Sequence, residues 1–145
     1  DEIYAIDVHS KFEHIHNVCR NYNVNNYNLS TQSIESTNFR DESFSAVVAV
    51  SVLEFVPDID KAVNEIKRLL VKGGEFITIC PMESRILDFF LSLYTTKKPE
   101  EEFGNARRKV TKILEENFEV VKKGFMIPVI GKLFPVYTHY KLKKP

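Results

Sequence analysis

The sequence has little of several features that would narrow its function at once. Tryptophan is absent, cysteine occurs twice in 145 residues, and 20 basic and 20 acidic side chains cancel to a net charge of zero. A balanced charge excludes the basic field that draws a protein to nucleic acid or to an anionic membrane. No apolar run approaches the roughly 20 residues of a membrane-spanning helix, and no signal peptide opens the chain. We therefore expect neither nucleic-acid nor membrane partners.

The two cysteines, Cys19 and Cys80, lie far apart and form no C-x-x-C pair. This usage is typical of reduced, buried thiols, and it predicts a cytoplasmic protein. A chain of 145 residues suffices for one domain that removes roughly two-thirds of its unfolded surface from water. We expect residues 1–145 to form that single domain.

Alternation of apolar runs with amphipathic stretches predicts an α/β fold. The run Ala46–Val50, AVVAV, has no polar residue and predicts a strand buried on both faces, as in a parallel sheet. Polar and apolar residues alternate in the last run, which predicts an antiparallel strand. The six predicted strands are Ile3–Ile6, Tyr27–Thr31, Ala46–Val50, Phe76–Cys80, and runs near 118–126 and 136–143.

Three stretches with helical periodicity separate these strands. The first follows a capping box, Ser10 with Glu13. The second begins after Asp58, a natural N-cap, and ends in a basic turn before Gly73, which can adopt the left-handed conformation. The third is predicted to begin at Pro99, with three glutamates in its first turn.

The order strand, loop, helix, glycine stop, strand resembles the second half of a class I S-adenosylmethionine-dependent methyltransferase of the type 11 kind. The motifs that carry the resemblance are DESFSAVVAVSVLEFVPDIDKAVNEIKRLLVKGG and, at residues 68–80, RLLVKGGEFITIC. The resemblance implies a Rossmann-like α/β sandwich, mostly parallel with an antiparallel C-terminal strand, and S-adenosylmethionine as the cofactor.

The family's glycine-rich cofactor loop and the strand before it are missing from this sequence. In the related fold that strand lies between the strands that correspond to Ile3–Ile6 and Ala46–Val50. Its absence would leave an unpaired edge on each of these two strands. We therefore expect the native protein to continue upstream of Asp1 with a G-x-G-x-G loop, and residues 1–145 to be N-terminally incomplete.

Open α/β sheets bind ligands beyond the carboxyl ends of their strands, so the residues there are candidates for cofactor binding. Asp7 ends the first predicted strand, and the resemblance implies that its carboxylate accepts hydrogen bonds from the hydroxyls of an adenosine ribose. Val8 would then offer an apolar side to the adenine. The alternative is a plain loop or N-cap aspartate beside an ordinary valine.

Two further strand ends complete the predicted cofactor site. The resemblance places Ser33 where an acidic residue often binds adenine, with Ile34 beside it, and it places Ser51 and Val52 near the methionine part of the cofactor. Serine is shorter and uncharged, but it can still bond an exocyclic amine. A polar loop without a ligand is the alternative for residues 33 and 34.

No catalytic residue follows from the sequence, because methyl transfer needs alignment of the acceptor more than a fixed base. Glu54 is expected to be a solvated carboxylate at the start of a helical turn. His14 and His16 are two residues apart, so on a helix they point to different faces and cannot form a metal pair. No metal site is predicted.

Two apolar stretches of the sequence give predictions about the methyl acceptor and about a possible homodimer. Residues 85–94 and 125–137 are unusually apolar for connecting segments. They favour a lid over a small apolar or aromatic substrate and a possible homodimer contact. A second small core, in which the two segments cover each other, is the alternative.

Three functions remain open from the sequence alone. The first is methyl transfer to a small, apolar or aromatic acceptor. The second is an NAD(P)-dependent oxidoreductase, since an acidic residue at a strand end also binds ribose there and Tyr94 with Lys98 matches a Y-x-x-x-K signature. The third is a non-catalytic methyltransferase-like binding module, which Ser33, Ser45 and the missing glycine loop favour.

Overall fold

The computed structural model describes residues 2–81, 105–125 and 137–145. Strands and helices alternate through most of these ranges. In chain order they are β1 (Ile3–Asp7), α1 (Glu13–Asn21), β2 (Tyr27–Thr31), β3 (Phe44–Val50), a 3-10 turn (Leu53–Phe55), α2 (Ile59–Leu69), β4 (Leu70–Pro81), α3 (Asn105–Asn117), β5 (Glu119–Phe125) and β6 (Tyr137–Lys143).

The described strands form two sheets. β1 and β2 pair in parallel, with Ile3 beside Tyr27, and the second sheet has the strand order β3-β4-β6-β5. β3 and β4 are parallel, whereas β6 is antiparallel to both of its neighbours. In the four-stranded sheet β6 therefore runs against the other three strands. This confirms the predicted α/β fold, mostly parallel with an antiparallel C-terminal strand.

The hydrophobic core lies between the four-stranded sheet and helices α2 and α3. Helix α2 buries one stripe at helical spacing, which is the face the sequence predicts. Its buried side chains are Ile59, Ala62, Val63, Ile66 and Leu69. Ile59, Val63 and Ile66 pack in one cluster with side chains of the sheet and of α3, among them Phe76, Leu142, Val110 and Leu114.

The segment 35–42, named here the return segment, leads the chain from the carboxyl end of β2 to the amino end of β3. It follows α2 from its first turn to its last, so polar groups of the segment meet partners on the helix in order. The bonds join Glu35 Oε1 to the Asp58 amide (2.9 Å), the Thr37 amide to Glu65 Oε1 (2.8 Å) and the Phe39 carbonyl to Arg68 Nη1 (2.8 Å).

The prediction that Ala46–Val50 is buried on both faces is wrong for one face. Val47 and Ala49 pack against the core, but Val48 is 63% exposed and Val50 is 50% exposed. Side chains alternate between the two faces of a strand, and among the described helices α2 and α3 cover only the face of Val47. The composition of a strand does not reveal how many of its faces are covered.

Two predicted helix ends differ from the structure. The capping box at Ser10 is absent, because α1 begins at Glu13 after Phe12, which makes no side-chain cap bond. Helix α2 has the predicted cap at Asp58, whose side chain accepts from the Lys61 amide. It ends at Leu69, and β4 begins at once.

Gly73 has the predicted positive φ of 74°, but it lies inside β4 rather than at a helix end. The pairing of β3 with β4 slips there, from Phe44 opposite Leu70 to Ala46 opposite Glu75. The Gly73 amide donates to the carbonyl of Lys144 at 3.2 Å. The glycine therefore allows a bulge near the start of the strand.

Some of the remaining predictions are confirmed, and others fall on residues that the structure does not describe. In β6 Thr138, Tyr140 and Leu142 are buried and the residues between them are not, as the alternation predicted. Cys19 and Cys80 are both free thiols, and only Cys80 is fully buried. The predicted helix start at Pro99 and nearly all of the stretches 85–94 and 125–137 lie outside the described residues. Where the structure describes the chain, no helix is long and apolar enough to cross a bilayer.

Candidate functional site at the carboxyl ends of the strands

The carboxyl ends of β1, β2 and β3 lie on the same side of the fold. β1 and β2 are parallel, and the Gln32 amide, just after β2, donates to the carbonyl of Asp7 at 3.0 Å. Glu35, a few residues further, bonds the Asp58 amide, and Asp58 follows the end of β3. All three predicted strand ends therefore face one edge, named here the carboxyl rim: residues 7–8, 33–34 and 51–52.

Asp7 ends β1 with an exposed side chain. Its Oδ1 accepts a hydrogen bond from the His9 amide at 2.8 Å, which orients the carboxylate at the rim. No other described residue bonds this carboxylate, so its second oxygen can accept from a ligand. Val8 beside it is 64% exposed. His9 thus contacts Asp7 through its backbone amide rather than through its ring.

Ser33 is held in a local turn by Glu35. The Ser33 hydroxyl donates to Glu35 Oε2 and accepts from the Glu35 amide, both at 3.2 Å. Because a hydroxyl has one proton and two lone pairs, Ser33 can still accept one hydrogen bond but has no proton left to donate. Ile34 is partly buried and packs against the main core, so it presents less of its side chain to the rim than an exposed residue would.

Ser51 directly follows β3 and has a φ of 49°. A positive φ is uncommon for a residue with a side chain and marks a sharp change of chain direction. Its amide still donates to the carbonyl of Ile79 at 2.9 Å, which fixes the end of β3 to β4. The turn leaves Val52 exposed at the rim.

Glu54, expected to be solvated, is half-buried, and its Oε2 is fully buried. It lies close enough to Cys80 to influence the pKa of that thiol. Burial raises the pKa of Cys80, a hydrogen bond with Thr78 lowers it, and the negative charge of Glu54 raises it further. Sequence reasoning missed this burial because the strand end and the later strand β4 come together only in the fold.

Glu35 is a second residue that the sequence analysis missed. It holds Ser33 through one carboxylate oxygen and the first turn of α2 through the other. The short spacing from Ser33 to Glu35 was its one local signal, since serine followed two residues later by an acidic side chain is compatible with a side-chain turn. Within the described ranges no cluster of three metal-ligating side chains occurs.

Comparison with known proteins agrees with the α/β fold. The model of the methyltransferase domain family matches residues 1–78. No curated protein matches the sequence. A SAM-dependent methyltransferase from Methanosarcina mazei superposes with a TM-score of 0.73 at 17% identity, over 99% of this chain and 82% of that one. One from Aquifex aeolicus gives 0.71 at 16% identity, over 99% and 69%.

A third solved structure, the N-methyltransferase NodS from Bradyrhizobium japonicum WM9 in complex with S-adenosyl-L-homocysteine, has a TM-score of 0.65 at 15% identity. It covers 99% of this chain, and this chain covers 67% of it. At such identities the superpositions show the fold, whereas the family model extends over more than half of the chain. The chain therefore belongs to the methyltransferase domain family as an S-adenosylmethionine-dependent methyltransferase of class I.

Proposed function

We propose that the carboxyl rim binds the adenosine and methionine parts of S-adenosylmethionine. The residues assigned to this site are Asp7, Val8, Ser33, Ile34, Ser51 and Val52. The observation that carries the proposal is that three separate strand ends face one edge, with an exposed carboxylate at the first of them. Ligands of open α/β sheets bind at such edges.

The donor and acceptor groups at the rim fit a nucleoside. A ribose offers hydroxyl protons, and Asp7 has acceptor capacity left after its bond to the His9 amide. An adenine offers exocyclic amine protons, and Ser33 retains one lone pair to accept from them. Both side chains thus need to act only as acceptors, which matches the protons that adenosine presents.

The apolar side chains at the rim have a complementary role. Val8 and Val52 are exposed there, and an aromatic base or an aliphatic chain placed against them would remove their surface from water. Each fully covered side chain of this size contributes on the order of 1.5–3 kcal/mol. Ile34, which is partly buried against the core, supports the segment that holds Ser33.

The cofactor supplies an electrophilic methyl group on its sulfonium, and the chain's own residues have to orient the acceptor in line with it. Alignment alone can supply several kcal/mol of the barrier. We assign no general base, because an acceptor that arrives deprotonated needs none. The proposed contribution of this chain is binding and orientation.

We further propose a small, apolar or aromatic acceptor. Beside Val8 and Val52, the side chain of Phe55 in the turn after β3 is exposed, so the border of the rim near Ser51 is rich in apolar surface. Apolar surface at the border of the rim favours the binding of an apolar methyl acceptor. The possible homodimer through residues 85–94 and 125–137 stays a prediction, as does the cytoplasmic location.

The oxidoreductase alternative has less support. Its signature residues, Tyr94 and Lys98, lie outside the described residues. The antiparallel pairing of β6 with β4 and β5 and the family match both favour methyl transfer.

Calorimetric titration with S-adenosylhomocysteine tests the proposed site, using the complete product of the gene that encodes this chain. Loss of a charged hydrogen bond costs roughly 1.5–3 kcal/mol. We therefore expect the Asp7→Ala substitution to weaken binding by about 10- to 100-fold. Asp60→Ala is the matched control, because Asp60 is an exposed aspartate on α2, paired with Lys109.

Two outcomes would contradict the proposal. Equal affinities for the wild type and the Asp7→Ala variant would exclude Asp7 from the site. Absence of any saturable heat for the wild type at millimolar ligand would favour the non-catalytic binding module instead.

A further inference from the structure

Glu35 fixes the direction of both hydrogen bonds that the Ser33 hydroxyl makes in the turn after β2. The hydroxyl donates to Glu35 Oε2 and accepts from the Glu35 amide, both at 3.2 Å. A carboxylate has no proton to donate and a backbone N–H can only donate, so neither bond can run the other way. One lone pair remains on Ser33, and through it the hydroxyl can only accept.

The carboxylate that sets this direction is itself held in place. Glu35 Oε1 accepts from the Asp58 amide at 2.9 Å, where Asp58 caps helix α2. The Ser36 amide donates to the carbonyl of Ser33 at 3.1 Å, which closes the turn around the hydroxyl. Glu35 is partly buried, so water competes less for its oxygens than at an exposed site. The turn therefore holds the Ser33 hydroxyl in one orientation.

The polar side chain next to Ser33 is committed to other partners. Gln32 Nε2 donates to Ser30 Oγ at 2.8 Å, and Gln32 Oε1 accepts from the Asn38 amide at 2.7 Å. Gln32 therefore does not reach the Ser33 hydroxyl. Within the described ranges Glu35 is the one residue that bonds this hydroxyl. The remaining lone pair of Ser33 is available to a ligand.

An acceptor at this place distinguishes two kinds of purine. Adenine carries an exocyclic amine at position 6, which donates, whereas a 6-oxopurine carries a carbonyl oxygen there, which accepts. Against a hydroxyl that can only accept, the amine forms a hydrogen bond, but the carbonyl oxygen sets one lone pair against another. A site with such a fixed bond rejects the analogue that cannot form it.

We infer that Glu35 is a positioning residue, which acts through Ser33 to select a 6-aminopurine over a 6-oxopurine in the cofactor. The inference rests on the proposed function, in which Ser33 accepts from the adenine amine. Glu35 needs no contact with the base, because it takes from Ser33 the one proton that a 6-oxo group would require. A serine without this partner can rotate its hydroxyl and serve either base.

Replacement of Glu35 by glutamine should reverse the polarity of Ser33. The Asp58 amide needs an acceptor, so the glutamine oxygen takes that place and its Nε2 faces Ser33. The hydroxyl of Ser33 then accepts from Nε2 and from the backbone amide of residue 35, which uses both of its lone pairs. Its proton becomes the group that is left for a ligand, and a 6-oxo group can accept it.

Calorimetric titration of the complete gene product with two ligands measures this selection. The ligands are S-adenosylhomocysteine and its 6-oxo analogue, S-inosylhomocysteine. We expect the wild type to bind the adenosyl compound more tightly by roughly 10-fold or more, and Glu35→Gln to lower this ratio of affinities by roughly 10- to 100-fold. Glu116→Gln is the matched control, since it changes an exposed carboxylate on α3 that pairs with Lys112. It should leave the ratio within about 2-fold of the wild type.

The Ser33→Ala variant shows whether Glu35 acts through Ser33. Without the hydroxyl there is no polarity to set, so Ser33→Ala alone should lower the ratio by roughly 10-fold. Adding Glu35→Gln to this variant should change the ratio no further. A merely structural role of Glu35 would weaken both ligands together and leave their ratio as it is. An unchanged ratio in Ser33→Ala overturns the inference by itself, whether or not Glu35→Gln folds.

Failure of the inference differs from failure of the proposed function. If the wild type binds both ligands and Glu35→Gln has the same ratio, the inference is wrong although the rim still binds a nucleoside. A change of ratio by Glu35→Gln that is equal with and without the Ser33 hydroxyl also overturns it, because Glu35 would then act on the base directly. If S-adenosylhomocysteine gives no saturable heat with the wild type, the proposed function fails and the inference fails with it.

Discussion

Arg68 and Glu65, one turn apart on α2, form a two-pronged hydrogen-bonded pair. Arg68 Nε donates to Glu65 Oε2 at 2.9 Å, and Arg68 Nη2 donates to Oε1 at 2.6 Å. The same guanidinium also bonds the carbonyl of Phe39 and the carboxylate of Asp41. Bidentate arginine–carboxylate pairs are among the stronger polar contacts in proteins. This pair fixes the return segment to the helix.

Substitution of Glu65 by glutamine should make stability less dependent on pH. Hydrogen bonds from Arg68, and then from Thr37, lower the pKa of Glu65 from 4.5 to about 2. A lowered folded-state pKa stabilises the protein above the unfolded value and loses this contribution as the pH falls. We expect Glu65→Gln to cost about 2 kcal/mol at pH 7, allowing for the partly exposed Arg68, and wild type and variant to converge between pH 4.5 and 2.

Urea unfolding at several pH values would measure this effect. Glu116→Gln is the control, because Glu116 pairs with Lys112 at 3.7 Å on an exposed face of α3, where ion pairs contribute little. A constant difference between Glu65→Gln and the wild type down to pH 2 would contradict the assignment of the lowered pKa to Glu65.

Adjacent glycines in β4 should respond differently to alanine. Gly73 has a positive φ, but a methyl group there would meet only the Lys143 side chain, at 3.4 Å. Gly74 has no such φ, but its methyl group would lie 2.9 Å from the carbonyl oxygen of Val71 and 3.2 Å from that of Ser45. Backbone atoms cannot move aside as a lysine can.

We therefore expect Gly73→Ala to cost about 1 kcal/mol, the usual penalty for a left-handed residue. Gly74→Ala should cost about 2–3 kcal/mol, because it overpacks the bulge. Thermal and chemical unfolding of the two variants would rank them. A larger loss for Gly73→Ala than for Gly74→Ala would show that steric contact with the backbone is not the deciding term.

Thiol labelling should distinguish the two cysteines. Cys80 is 4% exposed, and its burial raises its pKa, so little reactive thiolate is present at neutral pH. Cys19 on α1 is only partly buried. With Ellman's reagent we expect one thiol to react promptly and the second roughly 100-fold more slowly or only on unfolding.

Variants assign the two phases of labelling. Cys19→Ser should remove the fast phase, and Cys80→Ser should remove the slow one. Fast labelling of the Cys19→Ser variant would show that Cys80 is accessible and would contradict the packing at the carboxyl end of β4.

The sequence predicted the order of the strands and the start of the central helix well because their signals are local. Asp58 followed by the stripe from Ile59 to Leu69 contains its own cap and periodicity, and β6 shows its buried face in every second residue. These features depend on neighbours within one or two turns. The order of such elements was sufficient to indicate a methyltransferase-like α/β fold.

Other features depend on partners that are distant in the sequence. Val48 and Val50 looked buried because a run of valines is typical of an interior strand, but whether a face is covered depends on which helix crosses it. Ser10 and Glu13 had the spacing of a cap without adopting its geometry. At the rim the positions of Asp7 and Ser33 beyond the ends of their strands were predictable from the sequence. The bonds that Glu35 makes to Ser33 and to the Asp58 amide were not.

The path of the return segment restricts the length of α2. The helix has 11 residues, which span about 16 Å at 1.5 Å per residue, and its two ends meet opposite ends of the segment. One inserted residue would rotate the last turn by about 100° about the helix axis and turn the guanidinium of Arg68 away from Phe39. Insertions and deletions in this helix are therefore tolerable only when the connecting segment changes with them.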